Sequence, residues 1–393
     1  MAKNLPDPIV MKDQSYISDE DRFHWILLAR TPFIGPITFQ KLCKKFGSPK
    51  EILYQASRLP ELIRLFANHP LPSVRNIERE IEETQKNGGE IILLDQPEYP
   101  ALLRFIADPP PVITILGNKE LLQLPKVAIV GARQASAAGC KISELLALGL
   151  GKAGLTVVSG MAKGIDQAAH RGSLTTGTIA VLAGGADHIY PPQHQELYHQ
   201  IKEQGLIISE QPWGTIPQAG FFPRRNRLIS GLSLGIIVVE ATAKSGSLIT
   251  AKMALEQGRE VFAVPGSPLD GRSYGPNNLI RQGAVLTENA EDVIHSLPNF
   301  DTNARPSDTL IKNIRSLQIA KSSSPHPPSF VTPTAEIENT ILQKLAITPI
   351  SIDELANECQ LSLADLRVIL TELEIDGKVR RHLGDKVSLG ITN

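Results

Sequence analysis

At 393 residues and 42% hydrophobic content, the chain is too long for one ordinary domain and holds core-forming material for two or three. Its 40 lysines and arginines against 41 acidic residues exclude a histone-like polycation, so any polyanion site has to be a local cluster. Cys43, Cys140 and Cys359 stand far apart without a second Cys or a His at ligand spacing, which argues against zinc and against a disulfide framework and fits a reducing compartment.

The N-terminus is polar around Pro6, Asp7 and Pro8, and no apolar run approaches the roughly 20 residues that span a bilayer. The expectation is a cytoplasmic protein without a membrane partner and without a cofactor. From Asp19 to about Asn87, apolar residues recur at helical spacing, as in Trp25, Ile26, Leu28 and Ala29, and residues 1–87 read as a small helical domain. Within it Phe33-Ile34-Gly35-Pro36-Ile37-Thr38 resembles the glycine hairpin of helix-hairpin-helix and sterile-alpha-motif-like (SAM-like) modules; a plain helix-turn-helix packing element is the simpler reading.

From residue 88 to 298 short β-branched runs alternate with helix-length amphipathic segments. The runs are Ile91–Leu94, Val127–Val130, Leu155–Ser159, Thr178–Leu182, Leu206–Ser209, Leu234–Glu240, Glu260–Val264 and Ala284–Leu286. Continuous apolar strands separated by helices imply a mostly parallel sheet covered on both faces, an extended Rossmann-like, doubly wound α/β domain.

In such a sheet ligands bind beyond the carboxyl ends of the strands. The loops there share one character: small residues that let backbone N–H groups approach a phosphate, a helix start, and a cation. The first holds Gly131, Arg133 and Ser136; the second holds Ser159, Gly160, Lys163 and Gly164; another holds Lys244, Ser245 and Gly246. Phe221-Phe222-Pro223 then precedes Arg224-Arg225-Asn226-Arg227 in what reads as a proline-marked loop. Guanidinium forks grip phosphate oxygens, and Phe222 offers a plane for an unpaired base. The simpler alternative is a basic surface turn with one core Phe. His170, on the helix after the second loop, reads as a packed or locally hydrogen-bonded residue.

Residues 299–333 lose periodicity around Ser322-Ser323-Ser324-Pro325 and read as a flexible linker. Residues 334–393 hold three short helical patterns (Ala335–Leu345, Ile352–Glu358, Leu363–Ile375) and a hairpin-like end, which resembles a winged helix.

The series VAIVGAR, SGMAKGIDQAAH, TIAVLAGGADHIYP, FFPRRNRLISGLS, VVEATAKSGSLITAKMALEQGREVFAVPG and NNLIRQGA, in this order and spacing, resembles the DNA-processing protein A family, also called DprA or Smf. The resemblance implies single-stranded DNA as ligand, a homodimer formed through the Rossmann-like domain, and RecA recombinase as the partner loaded onto the strand during natural transformation. It implies a DNA-gripping role for Arg133, a second loop of Ser159, Gly160 and Lys163, a base-contacting Phe222 and a basic run at Arg225–Arg227. Two positions depart from the family pattern: Ala132 replaces the usual Ser, and Pro192 stands where some relatives carry a cation.

The leading expectation is therefore a non-enzymatic single-strand-binding protein. The alternative is a Rossmann-like hydrolase of phosphoribohydrolase type with Glu240 as acid or base, although the chain has only Pro265-Gly266 in place of the PGGxGTxxE run of such enzymes. A winged-helix regulator is disfavoured, because the recognition-like helix sets Arg367 against Asp365, Glu372, Glu374 and Asp376.

Overall fold

The computed structural model describes residues 18–297, 335–382 and 384–390; the expected linker lies outside the described residues. Five helices come first: α1 (Asp19–Ala29), α2 (Pro36–Phe46), α3 (Pro49–Gln55), α4 (Pro60–Asn68) and α5 (Val74–Lys86). Their starts are set locally. Ser18 and Ser73 accept backbone N–H groups as N-caps, Ser48 and Glu51 form a capping box, and Pro36, Pro49 and Pro60 occupy first-turn positions where no N–H is needed.

A nine-stranded sheet follows, formed by β1 (Gly89–Leu93), β2 (Val112–Gly117), β3 (Lys126–Val130), β4 (Thr156–Ser159), β5 (Thr178–Leu182), β6 (Leu206–Ser209), β7 (Gly235–Val238), β8 (Glu260–Ala263) and β9 (Val285–Leu286). The order is β1-β2-β6-β5-β4-β3-β7-β8-β9, parallel from β6 to β9 and antiparallel at β1 and β2. Strands β3 to β7 are buried along their whole length, as unbroken apolar runs require when helices cover both faces. The chain winds outward from β3 through β6 and then returns to lay β7 on the other side of β3. The topological switch point is therefore the β3/β7 crevice.

The sequence predicts no strand at β2 and places β1 in the mostly parallel sheet; the structure instead pairs β1 and β2 antiparallel at its edge. The connection between them carries only the four-residue helix α6 (Ala101–Arg104), too short to lie along a strand as a covering crossover, and β2 returns antiparallel. The helical domain and this strand pair share one core. Trp25, Ile26, Leu28 and Phe39 pack with Ile91, Leu93 and Val112, and the Trp25 Nε1–H donates to the Pro111 carbonyl at 2.8 Å.

The helices around the sheet are α7 (Ala137–Lys152), α8 (Ile165–Ser173), α9 (Gln195–Gln204), α10 (Phe221–Leu232), α11 (Gly246–Glu256), α12 (Tyr274–Arg281) and α13 (Ala290–Ser296). The C-terminal unit comprises α14 (Ala335–Lys344), β10 (Ile350–Ser351), α15 (Ile352–Cys359), α16 (Leu363–Ile375), β11 (Val379–His382) and β12 (Lys386–Leu389), with strand order β10-β12-β11. This is a winged-helix arrangement. It is seated on the Rossmann-like domain: Ala137 at the start of α7 is buried within its apolar cluster, and the Arg272 guanidinium donates to the Gln343 and Leu345 carbonyls at 2.9 and 2.8 Å.

Candidate nucleic-acid interface

Beyond the carboxyl ends of β3, β4 and β5 lie two connected spaces. A cavity of about 260 Å3 is lined by Arg133, Gly160, Met161, Lys163, Gly184, Tyr190, Pro217, Phe222 and Arg225. A groove of about 1110 Å3 shares Arg133, Lys163, Tyr190, Phe222 and Arg225, and continues past Gly131, Asn226, Ser245, Gly246 and Thr250 to Arg272 and Gln343.

The two loops that open the site are locked together through backbone. Gly164 has φ +76°, and a Cβ there would lie 2.3 Å from the Ala132 carbonyl oxygen, so only glycine permits the approach. The Ile165 N–H donates to the same carbonyl at 3.2 Å. Asp166, at the start of α8, accepts from the Gly160 and Ala162 N–H groups at 3.1 and 3.3 Å. Burial pushes its carboxyl up, opposed by the nearby Arg225 charge and those two donors.

Arg225 completes the floor. Its Nη1 donates to the carbonyls of Gly160 and Val181 at 2.5 Å each, and burial lowers its pKa to about 10. This guanidinium holds the second loop from beneath.

Above it stands a stack of three side chains. The Arg133 guanidinium lies 5.3 Å from the Phe222 ring centroid, and Phe222 meets Tyr190 at 5.3 Å with a 57° tilt. Arg133 and Lys163 are exposed, and neither has an ion-pair partner among the described residues. The result is two free cations beside two aromatic faces at the mouth of a small-residue pocket. That combination takes phosphate on the cations and an unpaired base on the rings.

Of the residues nominated from sequence, the site brings together Gly131, Arg133, Gly160, Lys163, Phe222, Arg225, Asn226, Ser245 and Gly246. Others are turned elsewhere. Ser159 donates its hydroxyl to the Ile129 carbonyl at 2.6 Å, and Ser136 is bound to Glu240. Arg227 is ion-paired with Asp108 at 3.1 Å and with Glu210 at 2.5 Å, away from the groove. Arg224 and Lys244 are exposed but line neither space. The expected loop at Phe221–Arg227 is instead the start of α10: Pro223 sits in the first turn, where a missing N–H costs nothing, and residues two apart on a helix face different sides, Arg225 towards Gly160 and Val181 and Arg227 towards Asp108 and Glu210. Tyr190 was not nominated, although an aromatic in the loop after β5 was the signal available. Arg272 and Gln343 were also missed: Arg272 stands in the turn after β8, where its carbonyl accepts the Ala241 N–H at 2.7 Å, and Gln343 reaches the groove only through the seating of the winged helix. His170 is buried, with Nδ1 2.7 Å from the Thr178 hydroxyl.

Family models match along the chain: DNA recombination-mediator protein A over residues 90–298, the DprA winged helix domain over 324–385, and the DprA-like N-terminal HHH domain over 19–82. Protein Smf of Synechocystis sp. is 34% identical over 399 residues, covering 94% of this chain and 98% of the relative. DNA processing protein DprA of Bacillus subtilis is 45% identical over 217 residues, covering 54% and 73%. The X-ray structure of DNA processing protein A from Streptococcus pneumoniae superposes with a TM-score of 0.61 at 33% identity, covering 72% of this chain and 99% of that one. With a relative aligned from end to end and a family model spanning every strand that frames the groove, the chain belongs to the DNA recombination-mediator protein A family.

Proposed function

We propose that this protein binds single-stranded DNA in the groove, without catalysing a reaction on it, as a recombination mediator. The observation that carries the reading is the Arg133–Phe222–Tyr190 stack beside the free ammonium of Lys163. Phosphates meet Arg133 and Lys163, a base lies on the rings, and the small-residue floor at Gly160 and Gly184 admits the strand without reading base edges. A duplex keeps its bases stacked inside and offers no free base to the rings.

The rest follows family membership: two protomers juxtapose their grooves, RecA recombinase is the protein partner, and the work is done in the cytoplasm. The hydrolase alternative loses its acid or base, since the Glu240 carboxylate is engaged by Ser136 and lines neither space.

Titrating labelled single-stranded and duplex oligonucleotides of one sequence tests the proposal. Preference for the single strand is expected; equal affinity for duplex, or release of free base from nucleoside monophosphates under the same conditions, overturns it.

A further inference from the structure

The β3/β7 switch point is where a doubly wound sheet ordinarily receives a ligand phosphate, at the N-terminus of the helix that follows the first strand. Here that helix is α7, and its first turn carries no acidic residue of its own. A carboxylate nevertheless sits there, delivered from the far side of the switch point by the residue two past the end of β7. The Ser136 N–H donates to Glu240 Oε2 at 2.8 Å, and the Ser136 hydroxyl donates to Oε1 at 2.5 Å. The same hydroxyl oxygen accepts the Gly139 N–H at 2.9 Å. Gly139 leaves room for the carboxylate: a Cβ at that position would lie 2.5 Å from Glu240 Cδ.

The contacts are those a bound phosphate would take: a backbone N–H, a hydroxyl, the positive end of a sixteen-residue helix, and a glycine that lets the anion come close. Ser136 is buried, and neither Ser136 nor Glu240 lines the cavity or the groove. We infer that Glu240 is a specificity-determining residue: its carboxylate permanently occupies the phosphate seat of the Rossmann-like fold. Free phosphate and nucleoside monophosphates are thereby refused at the switch point, and ligand phosphates are confined to the neighbouring edge at Arg133 and Lys163. The same carboxylate positions the Gly131–Ser136 loop that carries Arg133. The inference about the seat stands independently of which polymer the groove binds.

The test uses the full chain, with inorganic phosphate and adenosine monophosphate as probes in titration calorimetry. Glu240→Ala removes the occupant and leaves the Ser136 donors and the helix end facing a vacant space, so saturable phosphate binding absent from the wild type is expected. Glu240→Gln keeps an oxygen for the Ser136 N–H and fills the same volume. It is expected to refuse phosphate and to hold single-strand affinity within about threefold of wild type, the change expected when one hydrogen bond is altered but retained. Glu240→Asn, shorter and neutral, serves as a second opening variant if the alanine form fails to melt cooperatively. A folded Ala or Asn variant that binds no phosphate overturns the inference, as does a wild type that binds phosphate as well as they do. Absence of single-strand binding in the wild type itself, with phosphate uptake gained by the opened variants as expected, would leave the seat intact and count only against the polymer assignment.

Discussion

Two arginines that look equivalent in the sequence, Arg133 and Arg227, have different work because their partners differ. Arg133 is exposed and has no ion-pair partner among the described residues, whereas Arg227 is wedged between Asp108 and Glu210. Replacing Arg133 with Ala is expected to leave melting unchanged and to flatten the log–log salt dependence of single-strand binding by about 0.7, one phosphate contact. Arg227→Ala is expected to leave that slope alone and to cost roughly 3 kcal/mol of stability by stranding two carboxylates. Salt titrations and thermal melts on the same samples separate the two; a changed slope in Arg227→Ala contradicts the assignment. Phe222 is half-buried, held between Tyr190 and Arg133. Its replacement by Ala is expected to cost about 1–3 kcal/mol of single-strand affinity with a normal melt, and Phe222→Trp to retain binding, since any π face serves. A core role would instead show as a lowered melt. His170 sets a pH response: burial lowers its pKa to about 3, so it stays neutral in the folded protein while the unfolded chain takes up a proton below about 6.5. Stability is therefore expected to fall by about 1.4 kcal/mol per pH unit as the pH drops from 6.5 towards 3, from this residue alone. Denaturant unfolding of wild type and His170→Gln checks this. The slopes should diverge below pH 6.5, and parallel slopes would contradict it.

At the scale of elements, the central strands were legible because nothing competes with an unbroken apolar run of four or five residues between glycine-marked turns. Thr178–Leu182 and Leu206–Ser209 stand at the bounds the sequence predicts. The loops after β3 and β4 were legible for the same reason, since their position beyond a buried strand fixes where they face. What could not be read was direction and facing. Phe221–Arg227 joins a basic run to a proline, a pattern shared by a loop and by a helix start, and only the helix sends Arg225 under Gly160 and Arg227 towards Glu210. Ser136 carried the right chemistry for a phosphate contact, but its partner Glu240 is 104 residues away and follows a different strand, β7. In β2, the β-branched run from Val112 to Leu116, directly after Pro109, Pro110 and Pro111, was a strand signal that the predicted strands omit.

At the scale of the molecule, the winged-helix unit is joined to the Rossmann-like domain through a small apolar seat, the Arg272 guanidinium and an ion pair between Lys141 and Glu354 at 3.6 Å. Ala137 begins the helix that follows the Arg133 loop and is covered by the winged-helix core. Arg272, paired with Asp270 at 2.9 Å, holds the end of α14 by two carbonyls and lines the far end of the groove with Gln343. Each charged hydrogen bond of this kind contributes about 1.5–3 kcal/mol, so Arg272→Ala is expected to release the unit. Small-angle X-ray scattering should then report a larger radius of gyration, and an unchanged radius would contradict the role given to Arg272, leaving the seating to the apolar cluster and the Lys141–Glu354 pair. The acidic α16 and the cations Lys378, Arg380, Arg381 and Lys386 lie outside the groove lining. On the proposed function a single strand runs through the groove over Phe222. Photocross-linking the whole protein to an oligonucleotide carrying halogenated uracils, followed by mass spectrometry of the attached peptides, tests it most directly. The account predicts cross-links on the peptides that hold Tyr190 and Phe222, lost in Phe222→Ala at that position; cross-links confined to the winged-helix unit or to the N-terminal helices would contradict it.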